Sequence, residues 1–129
     1  MHDERLLDTS FLIAVANSEV AALRRLQEHP AWLIPCIAVG ELVAGAWRSG
    51  RAERNIAWLE EWLQHVLIVP CDAETAWHYG HITALLLDCG TPIPENDAWI
   101  ASIARQHDLT LVTRDAHFQH VDGLTIEAW

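Results

Sequence analysis

The chain has 129 residues, 51% of them apolar, with 18 acidic against 8 basic side chains and a formal charge of −10. A domain takes about 100–200 residues, so a single domain over 1–129 is predicted and a two-domain enzyme is excluded; folding removes roughly two-thirds of the extended chain's surface from water, enough for a core without disulfides or a structural metal. The charge excludes binding of nucleic acid or anionic lipid by bulk attraction, and because every cation is arginine, a local phosphate contact would use planar guanidinium forks.

In chain order, Leu6-Leu7 predicts a short strand running into Asp8-Thr9-Ser10, which leaves an acid at its carboxyl end. A helix is predicted from Glu19 to His29, with Val20, Leu23 and Leu26 at helical spacing and Pro30 as the stop. A strand at Trp32-Leu33-Ile34 follows, then a helical stripe from Ile37 to Ser49 that ends at Gly50 and carries Glu41. Arg51 to His65 is amphipathic, with Ile56, Leu59 and Leu63 on one side and Trp58 and Trp62 beside them. Val66 to Val69 predicts a strand stopped by Pro70. Asp72 caps a helix reaching Cys89, where Gly90 supplies the left-handed residue. The turn Thr91-Pro92-Ile93-Pro94 delivers Glu95-Asn96-Asp97 to a helix that runs to His107; strands at Leu109 to Thr113, with the tail Arg114-Asp115, and at Leu124 to Glu127 complete the chain.

Strands and helices alternate nearly one for one. Parallel neighbours need crossovers long enough for a helix, so the fold class is α/β, a mostly parallel sheet of four to five strands with helices on both faces. In such sheets functional groups collect outside the carboxyl ends of the strands, where Asp8 and Asp115 both fall. Adding Glu41 on its helix and Asp97 at a helix start gives four acids that only the fold can assemble. Crowded carboxylates repel each other unless a hard divalent cation compensates, and Mg²⁺ or Mn²⁺ suits oxygen ligands. Asp97 has an alternative reading, as a helix-start carboxylate placed by capping and dipole effects alone.

The other reactive residue types point to bland roles. Cys36, Cys71 and Cys89 form no C-x-x-C pair and read as small buried hydrophobes of a reducing compartment. None of the eight histidines forms a HExxH pair, and His78 and His81 read as surface or hydrogen-bonded side chains. Trp58, Trp62, Trp77 and Trp99 lie in amphipathic helices, where core or partner packing is expected; the Arg51 to His65 face is either a dimer or other partner surface or plain core. Gly40 to Gly45 has the spacing of a phosphate loop without the following Lys-Ser/Thr. The mixed-charge start Met1-His2-Asp3-Glu4-Arg5 does not read as a signal peptide, and the longest uncharged apolar run, Ala31 to Val39, is too short for a membrane span; a soluble, cytoplasmic protein is expected.

Four segments carry a resemblance. Leu6-Leu7-Asp8-Thr9-Ser10, Gly40-Glu41-Leu42-Val43-Ala44-Gly45, Pro94-Glu95-Asn96-Asp97-Ala98-Trp99-Ile100-Ala101 and Leu111-Val112-Thr113-Arg114-Asp115-Ala116-His117-Phe118 are similar, in order, to the successive motifs of PIN domains. The ending Val121-Asp122-Gly123-Leu124, with Trp129 close behind, resembles the VapC toxins of bacterial type II toxin–antitoxin pairs. The resemblance spans essentially the whole chain. It implies a PIN-like three-layer α/β/α sandwich and a Mg²⁺- or Mn²⁺-dependent endoribonuclease that hydrolyses RNA with a metal-activated water, forms a homodimer and is held inactive by a VapB-like antitoxin. It also implies that Asp8, Glu41, Asp97 and Asp115 are the catalytic and metal-binding acids. The fourth acidic position varies in the family, so Asp115 acts either directly or through water.

Beside these acids, Thr9, Ser10 and Thr113 would orient a carboxylate or a bound water, and Arg114 would clamp a phosphate. Arg48, Arg51 and Arg54, near the Gly50 turn, form either a basic rim for RNA or pairs with neighbours such as Glu53. Two further readings stand beside the toxin: a PIN-type RNA-processing nuclease without an antitoxin, and a non-catalytic acidic binding module.

Overall fold

The computed structural model describes residues 4–28 and 32–129. Five strands form one all-parallel sheet: β1 (Arg5–Leu7), β2 (Trp32–Pro35), β3 (Leu67–Val69), β4 (Thr110–Val112) and β5 (Thr125–Glu127), in the order β3-β2-β1-β4-β5. Successive strand residues point to opposite faces, so the apolar pairs Leu6-Leu7, Leu33-Ile34 and Leu111-Val112 each feed both. Leu6 pairs in register with Leu33 on one side and Leu111 on the other. These three pack with Ile82 and Leu86 of α5 (Ala73–Asp88) and Ile100 and Ile103 of α6 (Glu95–Gln106). On the opposite face Leu7, Ile34 and Val112 pack with Phe11 and Leu12 of α1 (Thr9–Ala16), Ala22 of α2 (Val20–Gln27) and Ala38 of α3 (Cys36–Trp47). Leu63, at the end of α4 (Ala52–Leu63), closes this second core. The result is the three-layer α/β/α sandwich expected from the alternation.

The element ends follow local chemistry. Asp72 caps α5 reciprocally with Thr75, and Gly90 just past the helix takes the positive φ of 70° that a side chain would resist. The helix expected from Glu19 to His29 is α2 over Val20–Gln27; His29, its predicted stop Pro30, and Ala31 lie outside the described residues. Two elements escape the sequence reading. Phe11 to Ala16 is apolar throughout and so shows no helical period, yet it folds as α1 because Asp8 caps it and Phe11, Leu12, Ala14 and Val15 pack into the second core, with Ile13 left exposed. A 3₁₀ helix, Ala116–His120, is too short to leave a periodic pattern.

Two expectations need correction. The cysteines are not buried: Cys71 and Cys89 are exposed and Cys36 half-buried, all three free, because each sits at a helix terminus or in a link rather than on a core-facing stripe. Trp77 is not core either, being 81% exposed on the outer side of α5. Trp99 does pack, against Tyr79 at a ring distance of 3.9 Å, and Trp58 stacks on Trp62 at 5.8 Å. No described helix is long and apolar enough to cross a membrane. Because Leu111 is fully buried where the central strands meet α6, Leu111→Ala should cost about 2–5 kcal/mol of unfolding free energy. Leu87→Ala, at a 62% exposed position, should stay within about 0.5 kcal/mol; urea titrations of the two variants measure the contrast.

Candidate metal centre

After β1 the chain builds outward through β2 and β3, then returns to place β4 on the other side of β1. The order reverses there, and the crevice beyond the carboxyl ends of β1 and β4 is the place where such sheets hold ligands. Asp8 follows β1 directly and Asp115 lies just past β4. α3, which begins immediately after β2, contributes Glu41, and the first turn of α6 contributes Asp97.

Asp8 is buried, 3% exposed, and its carboxylate is the acceptor of a dense local network. Oδ1 accepts the Phe11 N–H at 2.9 Å as the cap of α1, and the Ser10 hydroxyl donates to the same carboxylate at 3.0 Å. The Thr113 hydroxyl donates to Oδ2 from the neighbouring strand's tail, and accepts the Asp115 N–H at 3.0 Å. Thr9, next in sequence to Asp8, donates to Glu41 Oε1 at 2.7 Å and so ties α1 to α3 at this point. The three hydroxyl residues singled out in the sequence thus each touch an acid or its backbone. Asp97 does not cap α6: the cap position is Pro94, and the Asp97 carboxylate faces the His117 ring, with Nδ1 at 3.3 Å from Oδ2. That same Nδ1 lies 3.0 Å from Asp115 Oδ1, which also accepts the His117 N–H at 3.0 Å. His117 is the site residue that sequence reasoning left without a role; its signal is the Asp115-x-His117 spacing within one tight turn.

Burial pushes the Asp8 carboxyl above the ordinary value of 3.8 despite its hydrogen bonds, and the charge of Asp115 pushes it further. Asp97 is raised for the same leading reason, burial, with Asp115 and Glu41 adding repulsion and His117 opposing it. Four carboxylates therefore feel one another here, and two of them bind protons more tightly than they would in water. Such a hard-oxygen donor set fits Mg²⁺ or Mn²⁺ and gives a cation the compensating role. Asp97, Asp115 and His117 offer ligand atoms all within 4.8 Å of one another.

The arginines divide. Arg114 is held by Glu19 at 2.8 Å and lies 3.6 Å over the Trp129 ring, so its guanidinium is engaged by α2 and the C-terminus rather than turned to the acids. Arg51 and Arg54 line an open cavity of about 570 Å³ whose wall includes Glu41, Asn55 and Trp58. Among the described residues neither they nor Arg48 makes an ion pair, so pairing with Glu53 is not what holds them. His78 and His81 are hydrogen-bonded, both to Arg105, at 2.9 and 3.0 Å.

Residues 5–124 match the PIN domain family. The chain is 35% identical over 127 residues to ribonuclease VapC2 of Haemophilus influenzae and 32% identical to the tRNA(fMet)-specific endonuclease VapC of Shigella flexneri, with 96% of each chain covered in both cases. The chain belongs to the PIN-domain family, in its VapC group. Among solved structures it superposes on VapBC2 of Rickettsia felis bound to a promoter DNA fragment with a TM-score of 0.90, at 27% identity over 98% of both chains. DNA-bound VapBC of Salmonella typhimurium gives 0.88 at 31% identity, over 100% of this chain and 99% of that one.

Within this PIN fold the raised carboxyls have a consequence for stability. A carboxyl whose folded-state value lies above its unfolded one favours the fold when protonated, so its ionisation costs stability as the pH rises through the folded-state value. Asp97→Asn should therefore melt higher than the parent at pH 7 in chelator, with the lead shrinking as the pH falls through the raised folded-state value towards and below the ordinary 3.8. Thermal melts of the two proteins in chelator across that range measure the difference.

Proposed function

We propose that this PIN-domain chain is a Mg²⁺- or Mn²⁺-dependent endoribonuclease, the toxin component of a VapBC-type toxin–antitoxin pair. The observation that carries the reading is the grouping of Asp97, Asp115 and His117 within 4.8 Å of one another, with Asp115 acting electrostatically on both Asp8 and Asp97, and Glu41 on Asp97. The names of the Haemophilus and Shigella relatives support RNA as the substrate, and the VapBC complexes of Rickettsia and Salmonella support a VapB-like antitoxin as partner. We extend the reading to a homodimer, for which the exposed Trp77 offers apolar surface, and to a cytoplasmic location.

Asp8, Glu41, Asp97 and Asp115 would hold the divalent ion, which when bound stabilises charge developing on the phosphodiester and lowers the pKa of the attacking water. The chain's own contribution is to fix those oxygens in advance. Phe11, Ser10 and Thr113 immobilise the Asp8 carboxylate, and Thr9 orients that of Glu41, so little reorganisation is needed when RNA arrives. Arg51 and Arg54, without an ion pair among the described residues and on the cavity that Glu41 lines, would take backbone phosphates against the net charge of −10, with Trp58 beside them as a surface for a base. Arg114, committed to Glu19 and Trp129, would have to leave both to reach a phosphate.

Purified chain incubated with initiator tRNA or structured RNA and Mg²⁺ or Mn²⁺ should cleave it and stop on addition of chelator. Asp8→Asn and Asp97→Asn should each slow cleavage at least about 100-fold; wild-type rates in either variant would overturn the site. Replacing both Arg51 and Arg54 by Ala should weaken RNA binding and lower its salt slope by about 0.7 per arginine, as expected for contacts to a single strand. Growth arrest on expression, relieved by co-expression of an antitoxin should an adjacent frame encode one, separates a toxin from a processing nuclease.

A further inference from the structure

We propose that His117 is a direct nitrogen ligand of the divalent ion, making the centre a mixed nitrogen and oxygen site that favours Mn²⁺ over Mg²⁺. The inference rests on the metal-dependent reading above and names a ligand and a metal preference which that reading leaves open. Metal–ligand bonds of about 2.1 Å at right angles leave neighbouring ligand atoms about 3.0 Å apart. Nδ1 of His117 lies 3.0 Å from Asp115 Oδ1 and 3.3 Å from Asp97 Oδ2, which is the edge length of such an octahedron. Asp97, Asp115 and His117 each offer a ligand atom within 4.8 Å of the other two, close enough for small side-chain rotations to bring all three onto one ion.

The ring is also held in place. Asp115 caps the 3₁₀ helix through the His117 N–H, and Thr113 in turn accepts the Asp115 N–H, so Asp115 and His117 are fixed by one turn while α6 brings Asp97 to them. The ring is 49% exposed, so an ion can arrive from solvent without unfolding the turn. The same nitrogen bridges the two carboxylates, and exchanging that hydrogen-bonded bridge for a divalent cation would place two positive charges between them. Chemically, imidazole nitrogen is a better donor to first-row transition ions than to Mg²⁺, which prefers oxygen and keeps its waters.

The test uses the full chain, stripped of metal and loaded with Mn²⁺ alone. Pulsed electron paramagnetic resonance should detect an imidazole nitrogen coupled to the bound Mn²⁺, and the coupling should vanish in His117→Gln. Mn²⁺ affinity in that variant should fall about 10-fold, with Mg²⁺ affinity, read by competition, changing less than about 3-fold. Bound Mn²⁺ that depends on Asp97 but shows no nitrogen coupling would overturn the proposal while leaving a carboxylate metal site intact. Coupling that persists in His117→Gln would assign the nitrogen elsewhere and also overturn it. Failure to capture Mn²⁺ at an Asp97-dependent site would defeat the metal-dependent reading itself. The first measurement is made on the unaltered chain, so it does not depend on how a variant folds.

Discussion

A carboxylate buried at the end of a central strand is the constraint on which the rest of the site depends. Removing Asp8 from water is unfavourable, and the surrounding structure is arranged to limit that cost: a backbone N–H from the first turn of α1, the Ser10 hydroxyl, and the Thr113 hydroxyl from beyond β4. Each donor also has a structural task. Phe11 closes the cap of α1, and Thr113 joins the tails of two adjacent strands and positions Asp115. The same bonds that make the buried charge tolerable therefore build the crevice in which it acts.

The donors do not remove the penalty, since Asp8 and Asp97 both remain shifted towards their protonated forms, burial being the larger cause in each. A cation placed among these carboxylates would relieve that penalty. Arg5 and Arg25 both meet Glu127, Arg105 contacts two histidines, and Arg114 is taken by Glu19 and Trp129. Among the described residues Arg51 and Arg54 make no ion pair and line the cavity that Glu41 also lines, so their positive charge is offered to solvent beside one of the four acids. A net charge of −10 is compatible with an anionic substrate on these terms, because at physiological salt a distant charge is screened within roughly 8–10 Å while a guanidinium at the cleft is not.

Much of the architecture was legible in the residue pattern. The short apolar runs at Leu6-Leu7, Leu33-Ile34 and Leu111-Val112 were readable as buried strands, and the stripes at Val20-Leu23-Leu26 and Ile56-Leu59-Leu63 as helices, although α2 buries Ala22 and leaves Val20 and Leu23 exposed. α1 was not, because Phe11 to Ala16 is apolar on every side, even where Ile13 and Ala16 face solvent, so no polar face marks its period. Trp77 misled for the opposite reason: its place on an amphipathic helix suggested burial, but the inner face of α5 is filled by Ile82 and Leu86, and Trp77 points away.

By itself, the sequence determined which side chains can carry the chemistry: acids at the ends of predicted strands and helix starts, hydroxyls next to them, and a motif order similar to one family. It also determined a parallel sheet, because alternating short strands and helices leave the chain no shorter route between neighbours. Only the tertiary structure decided who meets whom. It turned Asp97 from a plausible helix cap into a partner of His117, placed that ring between two carboxylates, and committed Arg114 to Glu19 while leaving Arg51 and Arg54 open. The reason is range: periodicity and capping act over a few residues along the chain, whereas desolvation and charge act over a few ångströms in space, and only the packed sheet converts one kind of neighbour into the other.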